Sequence, residues 1–295
     1  MDINGISKFF ETHKQRGDAL VLATVIDTRG STYSKAGAQM LIDAEGRFRG
    51  MLSGGCLEGD LAVRAQAVLE SGKGQVVTYD LSQDDEELWG LGVGCEGVMR
   101  VLLQALDKNY EPYASVVDIL QGDVAGEVTL THDDLVVTVD VRPPPRLLVL
   151  GAGPDAEPVV RIAAELGWRS TVSDHRPAYV ASGGFKDACS THCVPADNVA
   201  ETIDLSAHQM AIVMSHHLVS DLSYLRQLAE TDIGYIGLLG PASRRDRLLR
   251  ELGNAAQKLE GRLHGPAGLD IGGRGPASIA LSIIAEMHQQ YYGNG

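Results

Sequence analysis

Residues 146–150, Arg-Leu-Leu-Val-Leu, form a short apolar run directly after three consecutive prolines at 143–145. Such a run predicts a parallel strand covered by helices on both faces. Gly151-Ala152-Gly153-Pro154-Asp155-Ala156 follows, and then Val159, Ile162, Ala163 and Leu166 recur on one helical face. Pro154 and Pro158 fall in the turn and the first helical turn, where a missing N–H does least harm. The next run, Ser170-Thr171-Val172-Ser173, ends in Asp174. Strand, glycine loop, helix, strand and acid in this order predict a dinucleotide-type crevice, with alanine as a permitted variant of the third glycine. Gly151 and Gly153 would let backbone amides approach an anion. The alternative is a glycine turn that binds nothing.

The strand pattern repeats downstream. Residues 210–214 end in Ser215-His216-His217, and residues 235–239 end at Gly240. In open parallel sheets ligands sit beyond the carboxyl ends of the strands, which places Ser215 and His216 beside the crevice. There a histidine can donate to an anion or shuttle a proton, or merely cap the next helix. Asp174 suits a ribose diol, and Arg176 a phosphate, as in NADP binders. A helix is expected after Pro241, with Ser243 and Asp246 at capping-box spacing. Arg244, Arg245 and Arg247 in its first turn oppose the helix dipole. They predict a bound anion there, or else a solvated or salt-bridged basic face. After a glycine-rich stretch at 265–275, Pro276 starts a helix in which Ala280, Ile283, Ile284 and Met287 share a face, with fraying expected beyond residue 290.

The first half of the chain has shorter periods. Residues 18–27, 38–42, 47–52, 75–79 and 98–105 read as strands, with a turn at 43–46. Leu57, Leu61, Ala65, Val68 and Leu69 mark an amphipathic helix ending at Ser71-Gly72. A short helix within 112–122 and edge strands at 127–130 and 135–140 are weaker expectations. The prolines at 143–145, stiff in polyproline II, are the expected linker. The fold class is therefore α/β: an N-terminal α+β domain (1–142) followed by a Rossmann-like parallel-sheet domain (146–295).

Composition narrows the function. A net charge of −14 and a pI near 5.0 argue against a general nucleic-acid or anionic-membrane binder. At 5% aromatic residues, stacking platforms for single strands are not expected. No basic segment precedes an apolar one at the N-terminus, and no run approaches the ~20 apolar residues of a membrane span. Four cysteines are too few for a disulfide framework in 295 residues. The expectation is a cytoplasmic protein with reduced thiols.

Two of those thiols occupy similar settings. Cys56 lies in Gly54-Gly55-Cys56-Leu57-Glu58, beside the first turn of the expected helix, whose positive end favours a thiolate. The amides of Gly54, Gly55 and Cys56 could hold an anionic group. Gly94-Cys95-Glu96-Gly97 repeats the pattern of cysteine and carboxylate where a loop meets a regular element. Together the two suit a site for sulfur or a soft metal, or are two tight turns built of small residues. Cys189, His192 and Cys193 lack the second ligand pair that a metal site would need.

These motifs carry a family resemblance. Gly30-Ser-Thr-Tyr-Ser-Lys-Ala-Gly37, Gly54-Gly-Cys-Leu-Glu58 and Gly92-Val-Gly-Cys-Glu-Gly97 resemble the xanthine dehydrogenase accessory factor family (XdhC/CoxI). Leu148-Val-Leu-Gly-Ala-Gly-Pro, Val172-Ser-Asp-His-Arg-Pro177, Tyr235-Ile-Gly-Leu-Leu-Gly240 and Gly265-Pro-Ala-Gly-Leu-Asp-Ile-Gly272 look like its C-terminal half. The resemblance implies a chaperone that binds the molybdenum cofactor, helps it receive a sulfido ligand from a cysteine desulfurase, and delivers it to a xanthine dehydrogenase-type molybdenum hydroxylase. A homodimer is expected. On this reading Cys56 and Cys95 are the sulfur carriers or transient molybdenum ligands. Gly54, Gly55, Gly151, Gly153, Asp174, Arg176, Ser215, Arg244 and Arg245 bind the pterin phosphate or a nucleotide, and His216 serves catalysis. The rival is an NAD(P)-dependent oxidoreductase using the crevice, for which His216 is the one evident proton handler.

Overall fold

Leu20–Gly30 (β1) lies at the centre of a five-stranded sheet, and its composition follows from that position. Leu20 and Leu22 pack with Ile6, Phe10, Tyr113 and Val117 on one face. Val21, Ala23 and Val25 pack with Leu61, Ala65 and Val68 on the other. A strand covered on both faces needs no polar alternation. The computed structural model describes residues 3–81 and 97–293, and the chain divides into the units Met1–Pro143 and Pro144–Gly295.

In the first unit a helix, Ile3–Arg16 (α1), precedes β1. It was not among the expected elements, although Ile6, Phe9, Phe10 and His13 have the spacing of one helical face. Gln39–Asp43 (β2), Phe48–Gly50 (β3), Glu58–Ser71 (α2), Gln75–Asp80 (β4) and Gly97–Ala105 (β5) follow. The sheet order is β3-β2-β1-β5-β4, antiparallel throughout. Gly72 ends α2 in the left-handed region at φ 66°, its N–H on the Val68 carbonyl, a conformation glycine adopts without steric cost. After Tyr113–Gln121 (α3), the strands Gly126–His132 (β6) and Leu135–Val141 (β7) pair with each other. They form a separate hairpin instead of edging the larger sheet, because Val128, Leu130, Val139 and Val141 bury against α1 and α3.

The second unit is built on six parallel strands. These are Arg146–Leu150 (β8), Arg169–Asp174 (β9), Ser190–Cys193 (β10), Met210–Val213 (β11), Tyr235–Leu238 (β12) and Leu263–His264 (β13). Their order, β10-β9-β8-β11-β12-β13, is the doubly wound Rossmann arrangement, with its switch point between β8 and β11. Leu147 and Val149 pack against Ala156–Glu165 (α4) and the C-terminal helix Pro276–Tyr292. Leu148 and Leu150 pack against the other face, where the helices Leu218–Leu228 and Ala242–Leu252 lie. The C-terminal helix continues through Tyr292, past the residue where fraying was expected. Among the described residues, no helix is long and apolar enough to cross a membrane.

Candidate functional site

The loop from β3 to α2 presents Cys56. Gly54 and Gly55 take φ values of +76° and +113°, open to glycine and strained for other residues. Both glycines are exposed, and the Cys56 thiol is half-buried and free. The amides here were expected to cradle an external anion, but the protein supplies its own. Glu58, the first residue of α2, is 2% exposed and turns its carboxylate back into the loop. One oxygen accepts the amides of Leu52 and Ser53, both at 2.8 Å. The other accepts the Ser53 hydroxyl at 2.5 Å and the Gly55 amide at 3.0 Å. Ser53 Oγ in turn accepts the Leu57 amide at 2.7 Å. Burial pushes the Glu58 carboxyl up, but bonds from the Ser53 hydroxyl and the Ser53 and Leu52 amides outweigh it and leave the group below its usual range. The loop is therefore braced from within, and the sulfur has a fixed backbone beneath it. The sequence pattern paired Glu58 with the cysteine but gave it no bracing role, although a carboxylate in the first turn behind a glycine pair is a legible sign of one. Cys95, the second expected sulfur, lies outside the described residues.

At the Rossmann switch point, the glycine loop after β8 closes on the end of β11. A Cβ on Gly151 would stand 2.5 Å from the Met214 carbonyl carbon and oxygen, so this close crossing requires glycine. Beyond that crossing the protein's own side chains meet the loop. The Asp155 carboxylate folds over Gly153, with Oδ1 2.6 Å from where a Cβ would be. Its Oδ2 lies 2.7 Å from His216 Nε2. The Asp155 side chain thus covers the second glycine of the loop. His216 joins the two loops from the left-handed region, at φ 58°, a costly backbone for a non-glycine residue.

Asp174 is wholly buried and does not offer its carboxylate to a ribose. Oδ2 accepts the Ala152 amide at 2.7 Å and Arg176 Nη2 at 2.7 Å, and Oδ1 accepts Arg176 N and Nε at 2.9 Å. Burial raises this carboxyl too, and the Arg176 guanidinium with the Ala152 and Arg176 amides more than reverses the effect. Arg176 also stacks over Tyr179 at 4.0 Å, so acid and cation answer each other rather than a cofactor. The pocket beside them, lined by Ala152, Pro154, Glu157, Ala178, Tyr179 and Ser182, holds ≈ 250 Å³, below the ~300–1,000 Å³ of typical ligand sites.

Ser215 is likewise buried, its hydroxyl 2.5 Å from Asp221 Oδ1. The other Asp221 oxygen accepts Arg244 Nε at 3.1 Å and Nη2 at 2.6 Å. Arg245 donates to the Gly265 carbonyl at 2.6 Å and to Asp246, and Arg247 pairs with Glu251. The basic first turn expected to await an anion is thus neutralised within the fold, and Asp246 is drawn to Arg245 instead of closing a capping box with Ser243. The helix N-cap is Pro241, with no side-chain cap. Cys189 is exposed just before β10 and Cys193 is exposed at its end, where alternation turns His192 to the opposite face. Among the described residues, no three His, Cys, Asp or Glu side chains converge as a metal site.

Comparison with known proteins agrees with this architecture. Residues 147–287 match the XdhC Rossmann domain, and residues 13–80 match the XdhC and CoxI family. A Bacillus subtilis protein, named as a probable xanthine dehydrogenase subunit, is 31% identical across 91% of this chain and 92% of its own length. The Escherichia coli protein named Molybdenum cofactor insertion chaperone PaoD is 24% identical across 97% of this chain and 88% of its own. A solved structure from Bacillus halodurans, named as a xanthine dehydrogenase, superposes with a TM-score of 0.87 at 31% identity, covering 100% of this chain and 96% of that one. With both halves matched and near-complete relatives at this identity, the chain belongs to the XdhC and CoxI family.

Proposed function

We propose that this protein carries the molybdenum cofactor, assists its sulfuration with a cysteine desulfurase, and inserts it into a xanthine dehydrogenase-type molybdenum hydroxylase. The observation that supports this most directly is the Cys56 thiol, free and half-buried on a loop braced by Glu58. A thiolate is a soft ligand suited to such a metal, and sulfur passes between thiols by reversible exchange. A carrier needs both properties, because it must release what it binds. Cys95 is the second sulfur of the proposal, acting as transient ligand or sulfur carrier. The relatives named as a molybdenum cofactor insertion chaperone and as part of a xanthine dehydrogenase support the cargo and the client. A homodimer is part of the same proposal.

Molybdenum content, measured by mass spectrometry on protein purified from a cofactor-replete host, tests the reading. The wild type is expected to carry the metal, and the Cys56→Ala/Cys95→Ala double variant to lose it while keeping its circular dichroism spectrum. A double variant that loads normally removes the two-thiol site.

A further inference from the structure

The first unit contains a groove of ≈ 680 Å³ lined by Tyr33, Ser34, Ala38, Phe48, Arg49, Gly50 and Met51, within the usual size of small-molecule sites. Resting on the carrier reading above, we infer that this groove receives the organic part of the cargo, a flat heteroaromatic ring bearing a phosphate, with Tyr33 as the stacking surface and Arg49 as the phosphate contact.

Four observations support this assignment. First, the lining brings two large, accessible apolar groups to one groove: Tyr33 is 61% exposed and Met51 50%. Second, the groove adjoins the sulfur. The Tyr33 ring lies over Gly54, with Cδ2 and Cε2 each 3.3 Å from the place of a Gly54 Cβ, two residues before Cys56. Third, the floor is backbone. Gly50 pairs with Met40 at the β2–β3 edge, where a Cβ would stand 2.5 Å from the Gln39 carbonyl oxygen, so this part of the lining carries no side chain.

Fourth, the charge is complementary. Arg49 is exposed, gives one N–H to the Phe48 carbonyl at 2.8 Å, and rests its guanidinium carbon 5.9 Å from the Phe9 ring centre. Among the described residues it has no carboxylate partner within ion-pair distance. Arg47, two positions away, is held by both Asp43 and Glu45. In a chain of net charge −14, an unpaired guanidinium at an aromatic rim favours an anion, and its planar fork matches a phosphate. The Rossmann crevice provides the contrast, because Arg176, Arg244 and Arg245 there are each paired with a carboxylate of the protein itself.

The experiment uses full-length protein from a cofactor-producing host. Bound organic material is released, oxidised and quantified by pterin fluorescence, and identified by mass spectrometry, in wild type, Tyr33→Ala, Tyr33→Phe, Arg49→Gln and Arg49→Lys. Tyr33→Ala is expected to lower retained pterin about tenfold, the loss of one aromatic platform, while Tyr33→Phe keeps most of it. Arg49→Gln is expected to lower retention and flatten its dependence on salt, with partial recovery in Arg49→Lys. Both side chains are exposed, so melting temperatures should not move. If the wild type loads and all four variants load equally, the groove assignment fails while the carrier reading stands. The assignment fails in the same way if the released compound is a nucleotide, or if Tyr33→Ala changes self-association but not loading. If the wild type carries neither pterin nor molybdenum, both fall together.

Discussion

Replacing Glu58 by glutamine tests whether the Cys56 loop is braced as described. The side chain keeps its size, but one carboxylate oxygen becomes an NH2 that faces two donors. With the NH2 on one side the Leu52 and Ser53 amides lose their acceptor; with it on the other the Gly55 amide does, the Ser53 hydroxyl turns to accept, and the remaining bonds lose their charged acceptor. Bonds to a charged acceptor contribute about 1.5–3 kcal/mol each, so the expected cost is about 3 kcal/mol or more. For a unit of this size, 1 kcal/mol lowers the melting temperature by about 3–4 °C, so the first unit should melt about 10 °C lower. The pH dependence has a definite sign. The folded carboxyl titrates below its unfolded value, so its stabilisation is complete above about pH 4.3 and is lost as pH falls further. The gap between wild type and Glu58→Gln should therefore be full at pH 7 and narrow in acid. Calorimetry supplies the melting temperatures, and hydrogen exchange on peptides spanning residues 50–60 should show faster exchange in the variant. A variant that melts within about 2 °C of wild type, with unchanged exchange at these amides, refutes the brace.

Gly151→Ala should destabilise the second unit by about 3 kcal/mol or more, because φ +125° and the Met214 backbone at 2.5 Å leave no room for a methyl group; urea unfolding measures this. Asp174→Asn leaves the partly exposed Arg176 guanidinium without its charged acceptor and should cost about 1.5–3 kcal/mol. Its wild-type contribution should fade only in acid, since the carboxyl is lowered in the fold. With Asp155 over the glycine loop and Asp174 enclosed, titration with NADPH is expected to leave cofactor fluorescence unchanged, and saturable enhancement at micromolar concentration would show that the crevice opens to a dinucleotide.

Local patterning determined much of this protein. The apolar run of 147–150, the glycine turn at 151–153, the helical face of Val159 and Ala163 and the glycine stop at Gly72 are short-range signals, each answerable to neighbours within a few residues, and they name a Rossmann-like half. The motifs around Cys56 and Cys95 named the family. Strand order was beyond such signals, as was the separation of the β6–β7 hairpin from the larger sheet, because burial against α3 and against α1, more than a hundred residues away, settles it. The charges were the least legible. Arg244 looked unneutralised until the fold brought Asp221 to it across 23 positions, and His216 meets Asp155 across 61. Glu58 filled the amide cradle that seemed to await a ligand. Ion pairs are set by where folding brings charges together, and a buried charge must find a partner. The tertiary structure thus decided which anion-ready features of the sequence were already occupied, and which surface, around Tyr33 and Arg49, was not.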